Sequence, residues 1–370
     1  MKKSELTTPA IILDLDTFDR NLTSAQALAD KHQKKLWPMI KTHKSTEIAH
    51  RQRRIGADGF VCGTLDECET LSRAGFGNIM YAYPVAAGPS VRRITELSRK
   101  GDFYFRLDCQ DQVKELNEAA GAAGIKLNYT VIIDCGLHRF GLTPELAPAF
   151  VRDLQALPHL VFQGISTHPG QTYGGAGAAT VEAAADDEQR VMGEAQKRLT
   201  EAGFPCRMVT SGSTPTYTRT VGAPHLTHLH PGNYVFKDLI QVSLEAATTD
   251  DCALSVLATV ISRPAADRVI IDAGGKCLGI DQGAHGAGTI RGYGYIKGFP
   301  ELEVYGLSEE VGKIHVPPTS PLQVGDRVEI IPNHSCSTAN LTSYYIGCRG
   351  EEVVETITVD IRSNSTTCGA

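Results

Sequence analysis

Lys41 is the side chain in this sequence that is best placed for covalent chemistry. It follows the apolar run LWPMI at residues 36–40, which is typical of a buried strand. An amine at the end of such a strand can form a Schiff base with an aldehyde cofactor. It can also be an ordinary lysine whose stem packs along the strand while its ammonium group reaches solvent. Position alone leaves both interpretations open.

Two glycine-containing turns later in the chain are candidates for holding a phosphate. They consist of Ser211, Gly212, Ser213 and Thr214, and of Gly232, Asn233 and Tyr234. Hydroxyl groups and exposed backbone N–H groups in such turns can surround a phosphate. The same residues also occur in ordinary helix caps. A Schiff-base lysine and a phosphate site together are what pyridoxal phosphate requires.

Three further side chains follow predicted strands and could act on such a cofactor or its substrate. They are Arg139, His168 and Tyr173. An arginine can donate to a phenolate oxygen, a tyrosine hydroxyl can meet a pyridine nitrogen, and a histidine can move a proton. Taken singly, each could equally be a packing or surface residue.

His334 and Cys336 are candidate metal ligands in the segment IIPNHSCSTANL. They are two residues apart, so in an extended chain their side chains face the same way. An imidazole and a thiolate can bind zinc or a similar ion. Two protein ligands leave positions open for water or substrate, which favours a catalytic ion over a structural one. The pattern HxC by itself is more often found without a metal.

The elements that must position these residues alternate between apolar and charged segments. The predicted strands cover residues 36–41, 57–64, 78–84, 102–108, 128–134, 161–168, 206–212 and 225–234. The predicted helices cover residues 44–55, 65–74, 89–100, 110–123, 144–157, 177–202 and 215–221, with Thr143 as a cap and Pro144 at a first helical position. This alternation predicts an α/β fold, either a (β/α)8 TIM-type barrel or an open doubly wound sheet. In such a barrel the chemistry lies at the carboxyl ends of the strands, where the candidate residues fall.

From about residue 245 the sequence becomes rich in strand patterns and lacks helix signals. We therefore predict a barrel over residues 18–245 and a C-terminal β-domain over residues 246–370. The apolar run near the N-terminus has no place in the barrel, so residues 9–17 are expected to add a strand to the β-domain. The β-domain would carry His334 and Cys336.

Composition excludes several classes of partner. The net charge is −6, so the chain lacks the basic surface that nucleic acids and anionic membranes attract. No apolar run approaches the length of a membrane span, and no apolar segment of a signal peptide follows the first lysines. Ten cysteines in a chain without an export signal are expected to be free thiols in a cytoplasmic protein.

Seven segments of the chain together resemble a known family. They are TPAIILDLDTFDRN, PMIKTHKS, DCGLHRFG, HPGQTY, SGSTPT, HPGNYVF and PNHSCSTANL, in this order from Pro9 to Asn340. They resemble the D-serine dehydratase and D-threonine aldolase family of fold-type III pyridoxal phosphate enzymes, which are related to alanine racemase. The resemblance implies a (β/α)8 barrel followed by a β-domain, usually in a homodimer.

The resemblance also implies a role for most of the candidate residues. Lys41 matches the Schiff-base lysine, Arg139 the arginine beside the cofactor phenolate, and Tyr173 the tyrosine at the pyridine nitrogen. The SGST turn, with Gly232 and Asn233, matches the phosphate cradle. His334 and Cys336 match a metal pair that is written HxC in dehydratase-like members and HxD in aldolase-like members.

The pair here is HxC, so the resemblance favours a dehydratase with zinc, or else manganese or magnesium. Its substrate would be a D-3-hydroxy amino acid such as D-serine, D-threonine or D-3-hydroxyaspartate, which Lys41 would deprotonate at the α-carbon. The alternative is an aldolase that cleaves D-threonine or 3-hydroxy-D-aspartate to glycine and an aldehyde, with His168 or His43 as the additional base. A more remote alternative is a protein that binds the cofactor without turnover. Such proteins typically lack the β-domain.

Overall fold

The polypeptide folds around two sheets, one parallel and one mixed. The structure is a computed structural model that describes residues 1–85, 88–111 and 113–362. Its strands are β1 (Ala10–Asp14), β2 (Lys35–Leu36), β3 (Phe60–Cys62), β4 (Ile79–Tyr81), β5 (Phe103–Leu107), β6 (Leu127–Ile132), β7 (Leu160–Ser166), β8 (Met208–Ser211), β9 (His228–Leu229), β10 (Leu254–Ala265), β11 (Arg268–Ile271), β12 (Tyr295–Ile296), β13 (Glu303–Leu307), β14 (Gly312–His315), β15 (Arg327–Ile331), β16 (Tyr344–Arg349) and β17 (Glu352–Thr358). Its helices are α1 (Leu15–Lys31), α2 (Thr46–Arg54), α3 (Leu65–Arg73), α4 (Gly88–Lys100), α5 (Val113–Ala123), α6 (Ala147–Leu154), α7 (Ala178–Glu201), α8 (Tyr217–Thr220), α9 (Leu239–Ser243), α10 (Gly275–Leu278) and α11 (Ser335–Asn340).

The parallel sheet closes on itself. Its strands run in the order β2-β9-β8-β7-β6-β5-β4-β3, and a parallel bridge between Met39 and Val61 joins the two ends. The amide of Val61 donates to the carbonyl of Pro38 at 2.9 Å across this seam. The closure confirms the predicted (β/α)8 barrel and excludes the open doubly wound sheet.

The barrel strands alternate between two apolar environments because successive side chains point to opposite faces of a sheet. On β5, for example, Phe103, Phe105 and Leu107 belong to the main core shared with the helices. Tyr104 instead packs against a smaller cluster that includes Trp37. The smaller cluster fills the barrel interior, as the layered packing of such barrels requires.

One predicted helix begins later than expected. The amide of Leu146 donates to the carbonyl of Thr143 at 3.1 Å, so these residues form a turn and α6 starts at Ala147. The prediction that Thr143 caps a helix started by Pro144 is wrong. A different proline, Pro148, occupies the first turn of α6. Within the predicted helix 110–123, residue 112 lies outside the described residues.

The second sheet contains the N-terminal strand. β1 pairs antiparallel with β10 and parallel with β16, as the sequence predicted, although α1 already begins at Leu15. The sheet runs β13-β14-β11-β10-β1-β16-β17, with β15 pairing with β10 and β12. The short helices α10 and α11 interrupt this part of the chain, so the expectation that it lacks helices is wrong.

The division into domains over residues 18–245 and 246–370 stays a prediction, and residues 363–370 lie outside the described residues. Among the described helices, none combines the length and the apolar composition that a membrane crossing requires. The cysteines of the described residues are free thiols.

Candidate active site

A cavity of about 480 Å³ lies at the carboxyl ends of the barrel strands, where the second sheet covers the barrel. Most of the candidate residues line it. These are Lys41, Arg139, His168, Tyr173, Gly212, Ser213, Thr214, Gly232, Asn233, His334 and Cys336. Ser211 and Tyr234 do not line the cavity; both side chains are buried elsewhere in the protein.

The sequence predicted that Lys41 ends a strand, and this is wrong. Lys41 lies in a 3-10 turn over Ile40–Thr42. The strand β2 ends at Leu36. Beyond it, one more hydrogen bond joins this segment to the segment after β9: the amide of Met39 donates to the carbonyl of Pro231 at 3.1 Å. Pro38 has no amide hydrogen to extend the ladder, and the chain then turns into the cavity. Lys41 lines the cavity together with His168 and His285, and burial and the charge of Lys41 lower the pKa of both histidines.

The turn after β8 approaches the strand beside it very closely. A Cβ on Gly212 would lie 2.7 Å from the backbone of His230, so only glycine fits there. Behind the turn, the hydroxyls of Ser213 and Thr216 lie 3.0 Å apart, and Thr216 donates to the buried carboxylate of Glu188 at 2.9 Å. The hydroxyl of Thr214 is buried without a partner among the described residues. It is therefore available to a ligand.

The turn after β9 links the barrel to the metal pair. The side-chain amide of Asn233 donates to Asp238 at 2.7 Å, to Ser335 at 2.8 Å and to the sulfur of Cys336 at 3.7 Å. Its neighbour Tyr234 points elsewhere, because its hydroxyl accepts a hydrogen bond from Gln52 at 2.9 Å. Only the backbone of Tyr234 could therefore contribute to a phosphate cradle.

His168 follows β7 and is held against the phosphate turn. Its Nδ1 atom lies 2.8 Å from the carbonyl oxygen of Gly212. Burial and the nearby Lys41 lower the pKa of His168 to about 3. The ring is therefore neutral at physiological pH.

Arg139 is carried by the loop after β6, which an aspartate organises. The carboxylate of Asp134 accepts hydrogen bonds from the amides of Gly136 at 2.9 Å and His138 at 3.1 Å. Burial opposes the ionised form of Asp134, but these hydrogen bonds prevail and lower its pKa. The guanidinium of Arg139 lies over the ring of Phe140, 4.5 Å from its centroid.

Tyr173 lies in a 3-10 turn over Gly170–Gly174 and points into the cavity. Burial raises its pKa, which the side chain of Gln241 and the backbone of Thr214 oppose. The phenol is therefore protonated at neutral pH. Its ring centroid lies 5.5 Å from that of His285, which comes from the segment before β12.

His334 and Cys336 share the cavity, but not because the chain is extended there. His334 precedes α11 and Cys336 lies in its first turn. The buried carboxylate of Asp238 accepts hydrogen bonds from the amide of Ser335 at 2.8 Å and from its hydroxyl at 3.1 Å. A carboxylate at this end stabilises a helix start, so the predicted extended arrangement is wrong.

The mutual attraction within this pair favours a thiolate on Cys336, the form that binds a metal, but it also favours a proton on His334, which a metal would displace. Burial opposes charge on either residue, yet mutual attraction raises the pKa of His334 and lowers the pKa of Cys336. The Nδ1 atom of His334 lies 2.9 Å from Asp281, and Ser337 also donates to Asp281. No cluster of three or more histidine, cysteine or acidic side chains suited to a metal occurs in the described residues. The pair would therefore leave coordination positions open.

Sequence reasoning missed several groups in the cavity. They are Arg106, His285, and the ion pair of Lys44 and Glu67, whose Nζ and Oε1 atoms are 2.7 Å apart. Arg106 could have been found from the alternation on β5, where Phe103 and Phe105 face outwards. His285 reaches the cavity from the second sheet, and nothing local in the sequence indicates that contact. His43, by contrast, is fully buried and does not line the cavity.

A parallel barrel with a lysine, a hydroxyl-rich turn and a neutral histidine around one cavity is the arrangement expected of a pyridoxal phosphate enzyme of fold type III. Comparisons with known proteins agree with this class. Residues 13–239 match the family described as alanine racemase, N-terminal domain. Residues 253–348 match the family described as putative serine dehydratase domain.

The D-threo-3-hydroxyaspartate dehydratase of Delftia sp. (strain HT23) is 30% identical over 368 residues, which cover 95% of this chain and 96% of that protein. The D-threonine aldolase of Arthrobacter sp. is 30% identical over 359 residues, which cover 95% of this chain and 91% of that protein. A solved structure of a D-threo-3-hydroxyaspartate dehydratase, a cysteine-to-alanine mutant in the metal-free form, has a TM-score of 0.89 at 28% identity and covers 97% of this chain and 98% of that one. The chain belongs to the D-serine dehydratase and D-threonine aldolase family, and it is a pyridoxal phosphate-dependent lyase.

Proposed function

We propose that the protein is a metal-dependent dehydratase that converts a D-3-hydroxy amino acid to a 2-oxo acid and ammonia. One observation carries this proposal. Lys41, the turn Gly212–Thr214 and the pair of His334 and Cys336 line a single cavity. That cavity can therefore bring an amine, a phosphate site and a metal site to one substrate.

The residues of the cavity fit pyridoxal phosphate. The unpartnered hydroxyl of Thr214 and the glycine turns after β8 and β9 would hold the phosphate, and Lys41 would bind the aldehyde. Arg139 and Tyr173 would meet the phenolate and the ring nitrogen. When bound, the cofactor supplies an electron sink for negative charge at the substrate α-carbon.

Lys41 is the group that moves the α-proton in this proposal. Its Nζ accepts the proton from the α-carbon, since it is the amine in the cavity that Glu67 does not hold. His168 stays neutral and donates from Nδ1 to Gly212, so its Nε2 is left as a hydrogen-bond acceptor.

His334 and Cys336 would hold the metal. Asp281 occupies Nδ1 of His334, which leaves Nε2 to coordinate, and a soft thiolate ligand favours zinc over manganese or magnesium. A divalent ion acts as a Lewis acid on a β-hydroxyl and so makes it a better leaving group. Loss of the α-proton and the β-hydroxyl yields water and an enamine, which hydrolyses to a 2-oxo acid and ammonia.

Retro-aldol cleavage is the second candidate, because a D-threonine aldolase is among the relatives at 30% identity. It needs a base for the proton of the β-hydroxyl. His168, with a pKa of about 3, is a weak base, and His43 lies outside the cavity lining. These observations favour dehydration. Membership of a lyase family argues against a cofactor-binding protein without turnover.

The test uses protein loaded with pyridoxal phosphate and zinc, with D-serine, D-threonine and D-3-hydroxyaspartate as substrates. Equal amounts of ammonia and 2-oxo acid, abolished by EDTA and restored by zinc, support the proposal. Glycine as the product, or ammonia release that EDTA does not affect, overturns it. Homodimerisation and a cytoplasmic location stay predictions from the sequence.

A further inference from the structure

Arg106 is a buried cation at the base of the cavity. It lies on β5, two residues before the carboxylate of Asp108, and is 3% exposed. The neighbouring side chains Phe105 and Leu107 pack outwards in the main core, so Arg106 faces the barrel interior. It also lines the cavity.

The guanidinium of Arg106 has no counter-charge among the residues that the structure describes. Its Nε atom donates to the sulfur of Met80 at 3.4 Å, and Nη2 is buried without a partner among the described residues. No carboxylate of the described residues forms a salt bridge with it. Burial lowers the pKa of Arg106 to about 10; Tyr83 opposes this shift, and repulsion by Arg139 adds to it.

Two other buried charged groups of the cavity region, in contrast, have partners. Lys44 is paired with Glu67 at 2.7 Å, and Asp238 accepts hydrogen bonds from Asn233 and Ser335. A buried charge without a partner is strongly unfavourable, and functional sites are where such groups concentrate. Arg106 therefore fits an anion that enters the cavity.

The position of Arg106 narrows the choice of anion. The phosphate cradle follows β8 and β9, and the backbone of β5 lies across the barrel from β9, with β6, β7 and β8 between them. The side chain of Arg106 reaches inwards, where burial and the charge of Arg106 lower the pKa of His230, which lies two residues before Gly232. Arg139, on the loop after β6, is the residue proposed for the cofactor phenolate. The remaining anion of the reaction is a carboxylate of the substrate. We propose that Arg106 binds a carboxylate of the D-amino acid substrate, an inference that rests on the proposed function.

The test measures binding of D-alanine and D-aspartate, which lack the β-hydroxyl and cannot be dehydrated. Calorimetric titrations of the cofactor-loaded protein compare wild type with Arg106→Met, which removes the charge, and Arg106→Lys, which keeps it. Arg152→Met is the matched control, since Arg152 is exposed on α6. Affinity for pyridoxal phosphate is measured in parallel, and circular dichroism checks folding.

We expect Arg106→Met to weaken binding at least tenfold and Arg106→Lys to weaken it less, with cofactor affinity unchanged. A loss for both ligands assigns Arg106 to the α-carboxylate, and a loss for D-aspartate alone assigns it to a side-chain carboxylate. Unchanged binding of both ligands, or a loss of cofactor affinity alone, overturns the proposal. If wild type binds these ligands yet releases no 2-oxo acid from hydroxy amino acids, the dehydratase proposal fails while the binding test of Arg106 still stands.

Discussion

The Nδ1 atom of His168 lies 2.8 Å from the carbonyl oxygen of Gly212. A carbonyl only accepts hydrogen bonds, so Nδ1 carries the proton and Nε2 is the acceptor. The bond ties the end of β7 to the turn after β8 that is proposed to hold the phosphate. Because the pKa of His168 is lowered to about 3, neither the bond nor the acceptor changes over the physiological pH range.

Replacement of His168 is expected to lower turnover without abolishing cofactor binding. His168→Ala removes both the acceptor and the tie to Gly212, and we expect kcat to fall on the order of tenfold or more. His315→Ala, an exposed histidine of the second sheet, is the control. The dependence of kcat on pH between 5 and 9 should have the same shape in wild type and in His168→Ala, because His168 does not titrate in this range. A titration step in wild type that His168→Ala lacks, or an unchanged kcat in His168→Ala, would contradict this role.

Lys41 is expected to be the site of covalent attachment even though a second lysine lines the same cavity. The ammonium group of Lys44 is held by Glu67 at 2.7 Å, so it is not the amine available to an aldehyde. Borohydride reduction of the loaded protein followed by peptide mass spectrometry should place the cofactor on Lys41. Lys41→Ala should lose the label and the visible absorption, whereas Lys35→Ala, at the start of β2, should keep both. A label on Lys44 would refute the assignment.

Substitutions at and beside the pair of His334 and Cys336 are expected to lower the bound zinc to different degrees. Cys336→Ala should remove stoichiometric zinc, because one of the two protein ligands is lost. Asp281→Asn should weaken zinc affinity about 10- to 100-fold, because Asp281 orients His334. Cys109→Ala is the control, since Cys109 is an exposed thiol. The test is the metal content of each variant after dialysis, measured by atomic emission. If Cys336→Ala retained as much zinc as wild type, the proposed site would be ruled out.

Glu188 should make the stability of the protein depend on pH. Burial raises the pKa of Glu188 from 4.5 to about 7, so the folded protein binds this proton more tightly than the unfolded chain. The resulting stabilisation is fully present below about pH 4.5 and is lost as the pH rises through about 7. The loss amounts to roughly 3 kcal/mol.

Urea unfolding of the protein without cofactor tests this expectation at a series of pH values. The free energy of unfolding of wild type should fall relative to that of Glu188→Gln between pH 4.5 and 7.5. Glu194→Gln, on the exposed side of the same helix, should follow wild type. Equal pH dependence in wild type and Glu188→Gln would show that Glu188 is not a buried acid of raised pKa.

The barrel could be predicted from the sequence because its strands and helices differ in local composition. The segment of β5 illustrates this, since an apolar run is followed by a charged segment of helical period. The candidate residues at the cavity could be predicted for the same reason, because they directly follow those strands. Lys41 lines the cavity from a 3-10 turn and not from the predicted strand end, since the sequence does not show where β2 stops pairing.

The remaining features depend on contacts between distant parts of the chain. The helix start beside His334 is stabilised by Asp238, 97 residues before Ser335, and no local pattern reveals that contact. His285 lies against Tyr173 only because the second sheet covers the barrel. The lack of a counter-charge for Arg106 is likewise a property of the folded molecule and not of its strand.

The most direct test of the proposed dehydration follows the carbon atoms of the substrate. The loaded protein is given D-threonine labelled with ¹³C at both the α- and β-carbons, and the products are identified by mass spectrometry. Dehydration keeps the bond between these carbons, so both labels should appear in 2-oxobutanoate, with an equal amount of ammonia. Labelled glycine together with labelled acetaldehyde would show that this bond is broken and would contradict the proposed function.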